Sequence, residues 1–114
     1  MPAGKYDIII DQGSDFSVAI TLSEAGVARD ISDWLGRAKI KKSLTDSSST
    51  DFNVSMSNAA SGIIVMSLAH SVSRDMSAGF YIYDLEIYKG TAGSESEVTR
   101  VIEGRITLKG EVTT

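Results

Sequence analysis

Asp84 and Glu86 are the residues of this 114-residue chain whose type and spacing most resemble a reacting pair. Two positions apart on an extended strand, they share a face at about 7 Å, a separation that glycosidase carboxylates also use. Such a pair needs a deep cleft around it, and a chain of this length has little room to build one. The expected role is cross-strand pairing with Arg100 or Arg105. His70 is the only histidine, which removes multi-histidine metal sites and histidine relays. A Ser71, His70, Asp75 relay fails on geometry, because near neighbours in sequence cannot adopt a triad arrangement, and no nucleophile-elbow motif is present.

Asp11, Ser14 and Asp15 resemble fragments of a calcium loop, but the spaced carboxylates and closing glutamate of such loops are missing, so turn capping is expected there. Trp34 and the tyrosines have the shape to stack on a sugar, whereas a lone tryptophan at a strand start is ordinarily core. The chain has no cysteine, which excludes disulfides, thiolate metal sites and thiol nucleophiles. No phosphate-binding glycine loop or nucleotide motif occurs. The expected set of catalytic, cofactor-binding and metal-ligating residues is empty, with no small-molecule substrate.

A net charge of -4 argues against nucleic-acid binding, which needs surplus lysine and arginine. The basic run Arg37-Ala38-Lys39-Ile40-Lys41-Lys42 has charges spaced mostly at two and reads as the solvated face of a strand. Ile8-Ile9-Ile10 is too short for a signal core or a membrane span. The expectation is a protein made in the cytoplasm with no membrane partner.

These side chains need strands to hold them, and the densest strand signal is residues 79 to 88, Gly-Phe-Tyr-Ile-Tyr-Asp-Leu-Glu-Ile-Tyr. Its alternation puts Tyr81, Tyr83, Leu85 and Ile87 on the expected core face, with Phe80, Ile82, Asp84, Glu86 and Tyr88 opposite. Phe16, Val18, Ile20 and Leu22 form a second inward row, and Ser23 to Gly26 a hairpin turn before a short return to Ile31. Trp34 to Lys42 is a strand with Ala38 and Ile40 inward and Gly36 at a bend. Residues 43 to 51 form a polar loop, followed by a strand with Phe52, Val54 and Met56 on one face. Ile63 to Leu68, nearly all apolar, reads as a strand covered on both sides. Residues 69 to 78 hold one turn of helix capped by Ser71 or Ser73. Residues 90 to 97 are a loop, and the last strand faces Val98, Ile102, Ile106 and Leu108 inward, with Val101 breaking the alternation and a bulge at Gly104.

The reading is a single all-β domain over residues 1–114, an immunoglobulin-like antiparallel β-sandwich of seven or eight strands. A small closed barrel is the alternative. Residues 1–5 form an N-terminal arm and residues 110–114 an exposed tail.

Several segments resemble small β-sandwich domains of tailed-phage virion proteins. They are Asp11-Gln12-Gly13-Ser14-Asp15-Phe16 running into Val18 to Leu22, and Asp30-Ile31-Ser32-Asp33-Trp34 leading into Arg37 to Ile40. Gly62 to Leu68, Met76 to Glu86 and Val101 to Ile106 complete the set. The pattern is similar to the N-terminal domain of siphophage upper-baseplate proteins, and covers residues 6 to 112. The resemblance implies a non-enzymatic structural subunit of the tail, baseplate or neck, located in the virion and present in multiple copies. Its partners would be other virion proteins and copies of itself, through edge strands and terminal arms. A C-terminal extension of the kind that holds a fibre in the baseplate proteins is not expected. A capsid decoration protein, or a carbohydrate-binding module using Trp34 and exposed tyrosines, are the alternatives.

Overall fold

Runs in which β-branched and aromatic residues alternate with polar ones become strands in the computed structural model, which describes residues 4–24, 26–91 and 93–110. In chain order these are β1 (Gly4–Lys5), β2 (Ile8–Asp11), β3 (Phe16–Thr21), β4 (Ser23–Glu24), β5 (Val27–Ala28) and β6 (Leu35–Lys41). There follow β7 (Thr50–Asp51), β8 (Asn53–Asn58), β9 (Ile63–Leu68), the helix α1 (His70–Asp75), β10 (Gly79–Thr91) and β11 (Ser94–Lys109). The larger sheet has the order β1-β11-β10-β6-β7, with β2 also on the β1 side of β11. The smaller runs β3-β9-β8, and β4 and β5 form a separate hairpin.

The two sheets pack face to face, so the expected all-β sandwich is present. β10 is interior to the larger sheet, and its predicted inward row is the core: Tyr81, Tyr83, Leu85 and Ile87 are all buried. They meet Ile20, Ile64, Met66 and Leu68 of the smaller sheet in one continuous apolar cluster. Phe52 sits between the layers, its ring edge-on to Tyr83 at 5.9 Å and 6.2 Å from Phe16. Tyrosines can occupy this core because each hydroxyl finds a backbone acceptor. Tyr81 donates to the Ser77 carbonyl at 2.6 Å and Tyr83 to the Tyr6 carbonyl at 2.5 Å.

Two ladders depart from an antiparallel plan. β1 and β2 both run parallel to β11, pairing Gly4 with Ile102 and Ile8 with Ile106. Gly4 and Lys5 of the expected arm thus belong to the sheet, while residues 1–3 and 111–114 lie outside the described residues. Between β1 and β2 the chain crosses over Gly104. A Cβ there would lie 2.2 Å from the Tyr6 carbonyl oxygen, and the Asp7 carboxylate accepts the Arg105 N–H at 3.0 Å in place of a ladder bond. Gly104 is therefore a close-approach position rather than a bulge.

The bulge falls at Val101. Leu85 pairs with Ile102 but Glu86 with Arg100, so Val101 is the extra residue, and Ser96 is another between the pairs Lys89–Glu97 and Gly90–Glu95. One inserted residue reverses the side-chain phase of a strand. Ile106 and Leu108 consequently face inward as expected, whereas Val98 turns outward and is 46% exposed. Of the segment expected as a loop, Gly90 and Thr91 end β10 and residues 94 to 97 begin β11, with Thr91 paired to Ser94.

The remaining differences are local. β9 is a half-buried strand, with Ile64, Met66 and Leu68 buried and Ile63, Val65 and Ser67 less so. Gly36 marks the packing of one sheet on the other, since a Cβ there would approach Val54 to 2.7 Å. Thr50 and Asp51, placed in the polar loop, form β7 against Ile40 and Lys39.

Candidate functional site

The outer face of the larger sheet carries Asp84, Glu86, Arg100 and Arg105 together with Arg37, Lys39 and Lys41 of the basic run. Its register sets Asp84 between Lys39 and Glu103, and Glu86 between Arg37 and Arg100. Ile82 lies between Lys41 and Arg105. The twist of the sheet makes this face an open groove of about 800 Å³, lined among others by Lys41, Ile82, Asp84, Glu86, Arg100 and Arg105.

Asp84 takes the predicted partner: Arg100 Nε lies 3.2 Å from its Oδ2, and the same guanidinium reaches Glu103 at 3.7 Å. Glu86 does not pair with Arg100 or Arg105. Its Oε1 accepts from Arg37 Nε at 3.0 Å. Burial pushes the Asp84 carboxyl above its usual range, the Glu86 and Glu103 charges push the same way, and Arg100 and Lys41 oppose them. A raised acid beside a second carboxylate is the electrostatic half of a glycosidase pair. The geometric half is a cleft that excludes water, and this groove is open along its length. Each of the two carboxylates also already holds an arginine.

Arg37 ties three elements together. Besides Glu86 it donates to Glu95 on β11 at 3.0 Å, and its guanidinium lies 4.7 Å from the centre of the Tyr88 ring. Glu95 also accepts the Gly93 N–H at 2.6 Å, and that bond, followed by the one from Arg37, holds its carboxyl below the usual range. The basic run 37 to 42 is indeed a solvated strand face at Arg37, Lys39 and Lys41, with Lys39 bound to Asp51 at 3.0 Å. The alternation identified that face. Register alone supplied the partners.

Asp15 serves as a cap. Its Oδ1 accepts the His70 N–H at 2.7 Å and lies 2.8 Å from His70 Nδ1. Neither Ser71 nor Ser73 caps α1. Ser73 is fully buried, accepts the Gly13 N–H at 3.0 Å and donates to the Ser14 carbonyl at 3.2 Å. Gln12 donates to the Met76 carbonyl at 2.7 Å. The segment Gln12 to Asp15 thus clamps α1, and the Asp15 carboxylate, expected to cap its own turn, instead holds the first residue of this helix. No group of three or more side chains able to hold a metal ion occurs among the described residues.

Trp34 is 8% exposed, with Arg29 and Lys89 over its ring at 5.2 and 4.8 Å from the centre. It has no open ring face of the size a sugar would need. Tyr81 and Tyr83 are core, and Arg37 covers Tyr88. Burial pushes the Tyr83 phenol up, with Tyr6 and Asp7 adding to the rise.

A feature not anticipated from sequence lies on the opposite side. The outward residues of β3 are Ser17, Ala19 and Thr21, set against Ser67, Val65 and Ile63 of β9. β8 adds only uncharged residues. Individually these residues are unremarkable, and only the pairing order gathers them into one uncharged surface. Among the described residues no helix is long and apolar enough to cross a membrane. Compared with known proteins, the chain matches no family model and no curated protein.

Proposed function

We propose that this chain is a non-enzymatic structural subunit of a tailed-phage virion, an immunoglobulin-like sandwich present in multiple copies in the tail, baseplate or neck. The observation that carries the reading is the contrast between the two outer faces. Charge is concentrated on the larger sheet, where Asp84, Glu86, Glu95 and Asp51 are each held by an arginine or lysine. The smaller sheet presents an uncharged face and edge, the kind of surface that persists when it is covered in an assembly. The sequence resemblance to phage β-sandwich domains points the same way.

Electron microscopy of particles tests the proposal. Antibody against the chain is expected to label purified particles at the tail, and particles made without it are expected to be malformed or non-infectious. Labelling of the head would favour a capsid decoration protein. Fully infectious particles lacking the chain would rule the role out.

A further inference from the structure

Every sheet has edges, and each edge offers unpaired N–H and C=O groups to any extended chain that approaches. Most edges of this molecule are blunted. In the larger sheet the edge strands are short, and each carries a charged residue: β1 and β7 have two residues with Lys5 and Asp51, and β2 has four, ending in Asp11. β8 has a register irregularity between Ser55 and Asn58, and Val54 and Met56 pack against Gly36 of the other layer.

β3 is different. Its six residues, Phe16 to Thr21, include no charge and no proline. They pair with Leu68 to Ile63 in unbroken register, and among the described residues only β9 runs alongside. Phe16 and Val18 face the core but remain half-buried, because the smaller sheet ends at this strand.

We infer that β3 is a self-association edge, at which a second copy of this chain adds its own β3 antiparallel about a two-fold axis through Ala19. The strand is complementary to itself in that register. Ser17 falls opposite Thr21, Val18 opposite Ile20 and Ala19 opposite Ala19, so hydroxyls meet hydroxyls outside and apolar groups meet apolar groups inside. The first acid upstream, Asp15, falls opposite Ser23, so no like charges are juxtaposed. Pairing would merge two three-stranded sheets into one of six strands and cover Phe16 and Val18 further. The inference rests on the multi-copy reading above and gives it a specific edge.

Analytical ultracentrifugation of the purified chain tests it. The native chain is expected to dimerise with concentration. Ala19→Lys, whose side chain points to solvent in the single copy, would set two lysines face to face at the axis. It is expected to raise the dissociation constant on the order of tenfold or more, with an unchanged circular-dichroism spectrum. An equimolar mixture of Ala19→Lys and Ala19→Glu is expected to recover the dimer, because the two-fold places position 19 against itself.

A native chain that stays monomeric to millimolar concentration would overturn the inference, as would a dimer indifferent to Ala19→Lys. Failure of the Ala19→Lys and Ala19→Glu mixture to recover the dimer would overturn the two-fold register, which places position 19 against itself. Labelling of purified particles reports separately on the virion role, so failure of the edge and failure of that role are distinguishable.

Discussion

Asp84 shows how little a carboxylate pair in sequence says until its neighbours are known. In the folded chain it faces Glu103 directly and shares Arg100 with it. Burial and the nearby acids outweigh the arginine, so its folded pKa lies above the unfolded value of about 3.8. For an acid raised in this way, the folded state binds more protons than the unfolded state between the two pKa values. Stability from this group is thus greatest below about pH 3.8 and falls as pH rises through the folded pKa. Asp84→Asn is expected to raise the thermal midpoint at pH 7 and to leave it unchanged at pH 3, as read by circular dichroism. Gly104 illustrates the opposite case, a residue constrained by backbone alone. Gly104→Ala would drive a Cβ into the Tyr6 carbonyl group and is expected to cost about 1–3 kcal/mol in urea unfolding. Gly110→Ala, where the nearest contact is an ordinary 3.7 Å from Ala78, is the neutral control.

At the scale of elements, the long β10–β11 hairpin depends on side chains from outside itself. Its far end is held to β6 by Arg37 through Glu86, Glu95 and Tyr88. Removing that guanidinium leaves the inner part of the hairpin, around Tyr83 and Leu85, still buried between the layers. Arg37→Ala is expected to speed amide hydrogen exchange at residues 88 to 97 while exchange at residues 81 to 85 changes little. Uniform acceleration along both strands would mean that Arg37 supports the whole sheet. The helix α1 follows the same logic, because a six-residue helix cannot persist alone. Asp15, Gln12, Gly13 and Ser14 hold it from another part of the chain.

At the scale of the molecule, Phe52 is the bridge. It leaves β7 in one sheet, enters β8 in the other and meets Phe16 and Tyr83 on the way. Phe52→Ala is expected to cost about 3–5 kcal/mol, with Trp34 fluorescence and far-ultraviolet circular dichroism still falling together in one transition. Two separated transitions would mean that the layers fold independently.

Much of this architecture was legible from the order of residues. Period-two alternation is a local signal, and it placed the inward rows of β3, β6 and β10, including Tyr81, Tyr83, Leu85 and Ile87, because a residue's face follows from its immediate neighbours. It likewise marked Trp34 as core and Arg37, Lys39 and Lys41 as a solvated face. What escaped it depended on residues far apart in the chain. The alternation of β11 visibly breaks at Val101, but a break in pattern does not show that a residue is inserted in the ladder there, so the change of side at Val98 was missed. Pairing of β1 and β2 with β11, which spans almost the whole sequence, decides why Gly104 must be a glycine. Cross-strand register set Glu86 between Arg37 and Arg100; Arg37 binds it, while Arg100 reaches diagonally to Asp84 and Glu103. Alternation along one strand gives the face of each side chain; pairing between strands gives its partners, and only folding brings those within reach.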